Sequence, residues 1–112
     1  MSDALPLEID VATLATMQKN GDDFLLLDVR RQEEYDAAKI DGCVLIPMDE
    51  LKQRIDELES YRERLIVVQC HHGVRSLRVT HGLRQIGFSK AQSLAGGIDQ
   101  WSQQIDPSVP RY

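Results

Sequence analysis

The residue with the clearest capacity for covalent chemistry is Cys70, which opens the run Cys70-His71-His72-Gly73-Val74-Arg75-Ser76. A thiolate is a strong nucleophile, and nearby positive charge or N–H groups directed at the sulfur favour its formation. The strand-like run Leu65-Ile66-Val67-Val68 ends just before Cys70, a helical pattern follows Ser76, and Gly73 lies between them. Such a loop can curl until successive backbone N–H groups and the start of the helix face inward as an anion-binding nest. A sulfur at the centre of the nest is expected to ionise readily. Arg75 adds a full positive charge, and its planar set of donors could hold the anionic part of a substrate or steady the loop. Its plainer alternative is a surface salt bridge.

The same residues admit other uses. Free cysteine is among the most buried residue types, so Cys70 could be a structural thiol. The glycine, the arginine and the helix start immediately downstream favour the reactive reading. Cys70, His71, His72 and His81 are all potential metal ligands, but adjacent histidines are hard to bring onto one ion and no second cysteine lies close in sequence. No metal site and no cofactor are expected. His71 and His72 are expected to be exposed loop residues, with proton transfer near neutral pH as the alternative. Ser76 could donate a hydrogen bond to the sulfur or cap the helix. Asp28 and Arg30 could pair with each other or brace the cysteine loop. Cys43 lies inside a predicted strand and is read as a small core residue, not a resolving thiol.

Elements that could position this loop follow from pattern. Asp10 is placed to cap a helix carrying Val11, Leu14 and Ala15 at helical spacing and ending by Asn20-Gly21. Phe24-Leu25-Leu26-Leu27 is short and continuous, as in a strand buried on both faces. A short helix is expected over Glu33–Ala38, and a strand over Cys43-Val44-Leu45-Ile46, stopped by Pro47. Met48, Leu51, Ile55 and Leu58 share one face of an amphipathic helix. Val79, Leu83 and Ile86 define another, with Gly87 as its left-handed C-terminal residue. A strand near Ala91–Leu94 and a last helix with Ile98 and Trp101 follow. The final segment, with Pro107 and Pro110, is expected to be extended, packed by Ile105, Val109 and Tyr112. Strands alternating with helices imply a parallel α/β sheet, and Asp28-Val29-Arg30, the Cys70 loop and Gly96-Gly97 all fall at carboxyl ends of strands, where ligands bind.

Composition sets the class. The 112 residues, 42% hydrophobic and 28% charged, suit one globular domain over residues 1–112. A net charge of −5 argues against nucleic acid as a partner. No apolar run approaches the roughly 20 residues that cross a bilayer, and Met1-Ser2-Asp3-Ala4 lacks the basic and apolar regions of a signal, so the chain is read as cytoplasmic and away from membranes. Two cysteines are too few for a disulfide framework, and both are expected to be thiols.

The segments Leu26-Leu27-Asp28-Val29-Arg30, Glu33-Glu34-Tyr35, Ile40-Asp41-Gly42, Ile46-Pro47, Cys70 to Ser76, Gly87-Phe88 and Leu94 to Trp101, taken in order, resemble the successive blocks of a single-domain rhodanese. The resemblance implies a three-layer α/β/α fold with a five-stranded parallel sheet. It further implies a thiosulfate:cyanide sulfurtransferase-like reaction, in which Cys70 takes sulfane sulfur from a donor such as thiosulfate and passes it from a persulfide to cyanide or a thiol. In that reading His71, His72, Gly73, Val74, Arg75 and Ser76 form the substrate-binding loop, His71 and His72 shape its entrance, and Asp28 and Arg30 support it. The segment Ile105–Tyr112 resembles the ends of rhodanese domains associated with adenylyltransferases that serve sulfur carriers, which makes a sulfur-carrier or thioredoxin-like protein a candidate partner. Two alternatives remain. A non-catalytic interaction module often lacks the loop cysteine, which this chain retains. A phosphatase or arsenate reductase on the same fold carries one more residue between its cysteine and arginine than the four found here.

Overall fold

The computed structural model describes residues 5–112. Its centre is a pair of five-residue strands, β2 (Phe24–Asp28) and β4 (Leu65–Gln69), joined in parallel from Phe24 opposite Leu65 to Asp28 opposite Gln69. Around them lie β1 (Glu8–Ile9), β3 (Val44–Leu45) and β5 (Ala91–Leu94), giving a five-stranded parallel sheet in the order β1-β5-β4-β2-β3. Side chains alternate across a strand, so each central strand supplies both faces. Leu25, Leu27, Ile66, Val68 and Cys70 join Leu58, Val79, Leu83 and Phe88 on one side. Leu26, Val67 and Leu94 join Val11, Leu14, Ile98 and Trp101 on the other. Helices α1 (Val11–Lys19) and α4 (Gly97–Gln104) therefore cover one face, and α3 (Val74–Gln85) covers the opposite one.

The first helix begins as its sequence requires: the Asp10 carboxylate accepts a hydrogen bond from the Thr13 N–H at 2.8 Å. The short helix α2 spans Gln32–Ala37, close to the expected range. Other expectations are corrected. In place of one helix over Met48 to Leu58 there are two 3-10 stretches, Met48–Glu50 and Ile55–Tyr61, separated at Arg54 by a backbone at φ −110° and ψ 15°. Met48 and Leu51, like Ile55 and Leu58, are three apart, which a three-residue turn stacks on one side as readily as an α-helix does. All four still meet the same core cluster.

The third strand shrinks to Val44–Leu45 because it is an edge, paired only with β2, and Val44 is exposed. Ile86 lies just beyond α3 and faces solvent, so the buried stripe of that helix is Ser76, Val79, Thr80 and Leu83. Gly87 does take the left-handed conformation, at φ +104°. Strand β1 is absent from the sequence expectations, since two residues cannot display alternation; its pairing of Glu8 with Ser93 and Ile9 with Leu94 completes the sheet.

Candidate active site at the end of the central strand

Strand β4 delivers Cys70 to the carboxyl edge of the sheet, where the side chain is 1% exposed. The loop then folds back over its own sulfur. The N–H of Gly73 points at Cys70 Sγ from 3.1 Å and that of Ser76 from 3.3 Å, with the Ser76 hydroxyl oxygen 3.4 Å away. Ser76 Oγ also lies 2.8 Å from Ser93 Oγ and 3.2 Å from the Gly73 carbonyl, so a buried polar triangle holds its orientation. The curl depends on Gly73, at φ +104°, where a Cβ would also press to 3.2 Å from the Gly96 nitrogen. Ser76 thus contacts the sulfur through both main chain and side chain, while Gly73 occupies the N-cap of α3.

The outer side of the loop is held by α4. Its first N–H groups, Ile98 and Asp99, donate to the carbonyl oxygens of Cys70 and His71 at 2.9 and 3.1 Å. That approach requires Gly97, at φ +58°, because any Cβ there would overlap both carbonyls. The sequence placed Gly96-Gly97 near the site; the docking of helix N–H groups onto loop carbonyls was not foreseen.

Arg75 leaves the loop and meets Glu34 of α2 through two parallel hydrogen bonds, Nη1 to Oε1 at 2.7 Å and Nη2 to Oε2 at 2.9 Å. Glu34 accepts two more, from the Arg31 N–H at 3.0 Å and the Tyr112 hydroxyl at 2.9 Å. Arg75 foremost, and then these donors, hold the Glu34 carboxyl down to about 2. Arg30 donates to the Tyr112 oxygen at 2.8 Å, and partial burial pushes that phenol up to about 12. The Tyr112 ring stacks on His71 with centroids 4.0 Å apart, and His71 stacks on His72 at the same separation. Glu34 and Tyr112 are the site residues that sequence reasoning missed as such. Pattern could not find them, because the contact joins positions 78 residues apart in the chain.

Asp28 and Arg30 pair with each other, both wholly buried, through Nε to Oδ1 at 2.9 Å and Nη2 to Oδ2 at 2.7 Å. Arg30 further donates to the carbonyls of Glu34 and Ala38, tying the end of β2 to α2. His71 is half-buried and His72 exposed; burial, then the neighbouring His72, lowers the His71 pKa. Donor atoms of His71, His72 and Asp99 lie within 4.8 Å of one another, but the two rings are stacked and Arg111 holds the Asp99 carboxylate at 2.9 Å, an arrangement unlike a metal cage. Val74 is exposed at the rim. Cys43 packs beside the second core cluster with Sγ 3.9 Å from an Asp28 oxygen, and burial pushes its thiol up to about 11.

Helices on both faces of a parallel sheet, with a buried cysteine whose sulfur meets the N–H groups of Gly73 and Ser76 where the middle strand ends, define an α/β protein with a thiol cradled at the carboxyl edge of its sheet. Residues 10–104 match the Rhodanese-like domain, and the chain belongs to that family. Among curated proteins it is 37% identical over 87 residues to adenylyltransferase and sulfurtransferase uba4 of Ogataea parapolymorpha, covering 78% of this chain and 22% of that one. It is 34% identical over 93 residues to the probable adenylyltransferase/sulfurtransferase MoeZ of Mycobacterium tuberculosis, covering 83% of this chain and 24% of that one. The chain thus spans about a quarter or less of the length of these relatives. Among solved structures it resembles a rhodanese-related protein of Thermoplasma volcanium (TM-score 0.80, 30% identity, 96% of this chain and all of that one). It also resembles the human single-domain sulfurtransferase TSTD1 (TM-score 0.77, 26% identity, 89% and 98% covered). Among the described residues no helix is long and apolar enough to cross a membrane.

Proposed function

We propose that the chain is a sulfurtransferase in which Cys70 carries sulfur as a persulfide. The observation that carries this reading is the pair of N–H groups, from Gly73 and Ser76, directed at Cys70 Sγ. Hydrogen bonds to an anion in a site shielded from water are stronger than those between neutral groups, and here they need no rearrangement to act. The Cys70 thiolate attacks the outer sulfur of a donor such as thiosulfate. A new S–S bond forms, the donor's S–S bond breaks, and sulfite leaves with the electron pair. An acceptor, whether cyanide, a thiol or a sulfur-carrier protein, then attacks the outer sulfur of the persulfide and Cys70 leaves as thiolate, so kinetics are ping-pong. The names of the relatives agree with sulfur transfer, the resemblance of the tail to domains that serve sulfur carriers favours a protein acceptor, and a reducing cytoplasm suits two free thiols. The loop, with four residues between Cys70 and Arg75, is tighter than the phosphatase ring and suits sulfur better than a phosphate tetrahedron.

Intact-mass measurement after incubation with thiosulfate tests the proposal directly. One added sulfur atom on Cys70 is expected, absent in Cys70→Ser. An adduct that maps to Cys43, or none from any sulfane donor, would refute it.

A further inference from the structure

Three arginines beside the Cys70 loop are matched by carboxylates of this chain, whereas Arg31, which lines the same cleft as Arg75, forms no ion pair among the described residues. Arg30 is paired with Asp28, Arg75 with Glu34 and Arg111 with Asp99. The Glu34 match is the most consequential, because Arg75 is the loop's own cation and both of its terminal nitrogens are engaged. Glu34 is itself fixed, by the Arg31 N–H and by the hydroxyl of Tyr112, whose ring is stacked on His71. We propose that Glu34, held in place by Tyr112, is a specificity-determining residue that neutralises Arg75 and so turns the Cys70 site towards sulfane donors of low charge and away from dianions such as thiosulfate. This rests on the reading of Cys70 as the sulfur acceptor.

The physical argument is one of field and of hydrogen-bonding capacity. A dianion approaching a cationic loop is drawn in by it, and the attraction scales with its charge. Here the arginine's charge is cancelled a hydrogen bond away, on a chain whose net charge is −5. To grip an anionic donor with the paired terminal edge of its guanidinium, Arg75 must first give up two short bonds to Glu34, whose side chain is only 17% exposed; the N–H groups left over act beside the Glu34 charge. The Glu34 carboxyl, held down to about 2, stays ionised across the whole working pH range, so acidification to pH 5 does not release Arg75. A donor of lower charge loses less by the cancellation. Its sulfane sulfur meets the same N–H groups at Cys70.

A pair of donors of similar shape isolates charge: thiosulfate, a dianion, and methanethiosulfonate, in which a methyl group replaces one anionic oxygen. Both deliver their outer sulfur to the Cys70 thiolate; the leaving groups are sulfite and methanesulfinate, each taking the electron pair of the broken S–S bond. Quenched-flow loading of the reduced protein, read by intact mass, gives the two second-order rates. Glu34→Gln keeps the shape and removes the charge. It is expected to raise thiosulfate loading about tenfold and methanethiosulfonate loading by about threefold, so that the donor ratio moves roughly threefold towards thiosulfate. The new thiosulfate rate should fall with added salt, whereas the parent's should be nearly flat. Tyr112→Phe keeps the ring on His71 and removes one restraint on Glu34; it should move the ratio the same way by a smaller factor, about 1.5 to 2, and it tests the idea should Glu34→Gln fail to fold.

A ratio within 20% of the parent's in both variants, with Cys70 still loaded by each donor, overturns the inference and leaves the persulfide reading intact. Equal loss of both rates in a folded Glu34→Gln protein also overturns it, and makes Glu34 part of the loop's scaffold. No Cys70 adduct from either donor in the parent removes the persulfide reading, and this inference with it.

Discussion

Replacing Asp28 by Asn should be among the most damaging single changes in the chain, although no atom of Asp28 touches the sulfur. Arg30 is 0% exposed, and the Asp28 carboxylate accepts its backbone N–H, Nε and Nη2. An asparagine presents one acceptor and one donor, so its NH2 must face one of the arginine donors and the guanidinium loses its counter-charge. Breaking a buried ion pair by removing one partner costs about 3–5 kcal/mol, a large part of the total of about 5–15 kcal/mol that holds a domain of this size together. Urea unfolding followed by circular dichroism at neutral pH measures the loss. Arg30→Met also forfeits the bonds to the carbonyls of Glu34 and Ala38 and to Tyr112, so it is costly alone. The double variant should nevertheless be more stable than the sum of the singles by about 1–3 kcal/mol, since neither leaves the other's charge stranded. A cost below about 1 kcal/mol for Asp28→Asn, or additive singles, would show that water reaches this pair and that the reasoning from burial is wrong.

Three further outcomes follow from the geometry. Gly97→Ala forces a side chain into the left-handed region against the carbonyls of Cys70 and His71; it should cost at least about 1–3 kcal/mol and slow sulfur loading from every donor, and parent-like stability and loading would contradict the docking described for α4. Cys43→Ala should cost about 1–2 kcal/mol in urea unfolding and leave transfer largely intact, whereas loss of turnover in a folded variant would reveal a resolving role. His71, its pKa lowered in the fold, takes up its proton more readily when unfolded, so stability should decline as pH falls below about 6.5, the ordinary histidine value. His71→Gln should flatten that part of a urea-midpoint profile, and an identical profile would show that His71 does not contribute to it.

Much of the scaffold was legible because its signals are local. Asp10 as a cap, the apolar run of β2, the β-branched run of β4 and the glycine after α3 each act within one turn or one strand. The cysteine loop was legible for the same reason, since strand, Gly73 and helix start are consecutive. What escaped were features decided across the fold. Strand β1 exists only because β5 offers it an edge. The segment from Met48 to Tyr61 has spacing that two kinds of helix satisfy, and tertiary packing chose the tighter one. The clasp of Glu34 on Arg75 left no mark in composition or period, and Tyr112, expected to pack the tail with Ile105 and Val109, instead lies partly exposed over the loop while those two join the core.

The carbonyls of Cys70 and His71 are turned outward and tied to the first turn of α4, while the N–H groups of Gly73 and Ser76 are turned inward. In the proposed cycle the loop alternates between a thiolate and a persulfide, two species with the same charge whose negative end differs by the length of one S–S bond. A frame whose peptide dipoles are anchored from behind need not reorient between those states. The resting and loaded forms can then lie close in energy, and the chain can serve as a two-way sulfur relay whose direction is set by the relative concentrations of donor and acceptor. A loading equilibrium near unity with a small-molecule persulfide, whose outer sulfur passes to the Cys70 thiolate while its own thiolate leaves, would be the signature of such a relay.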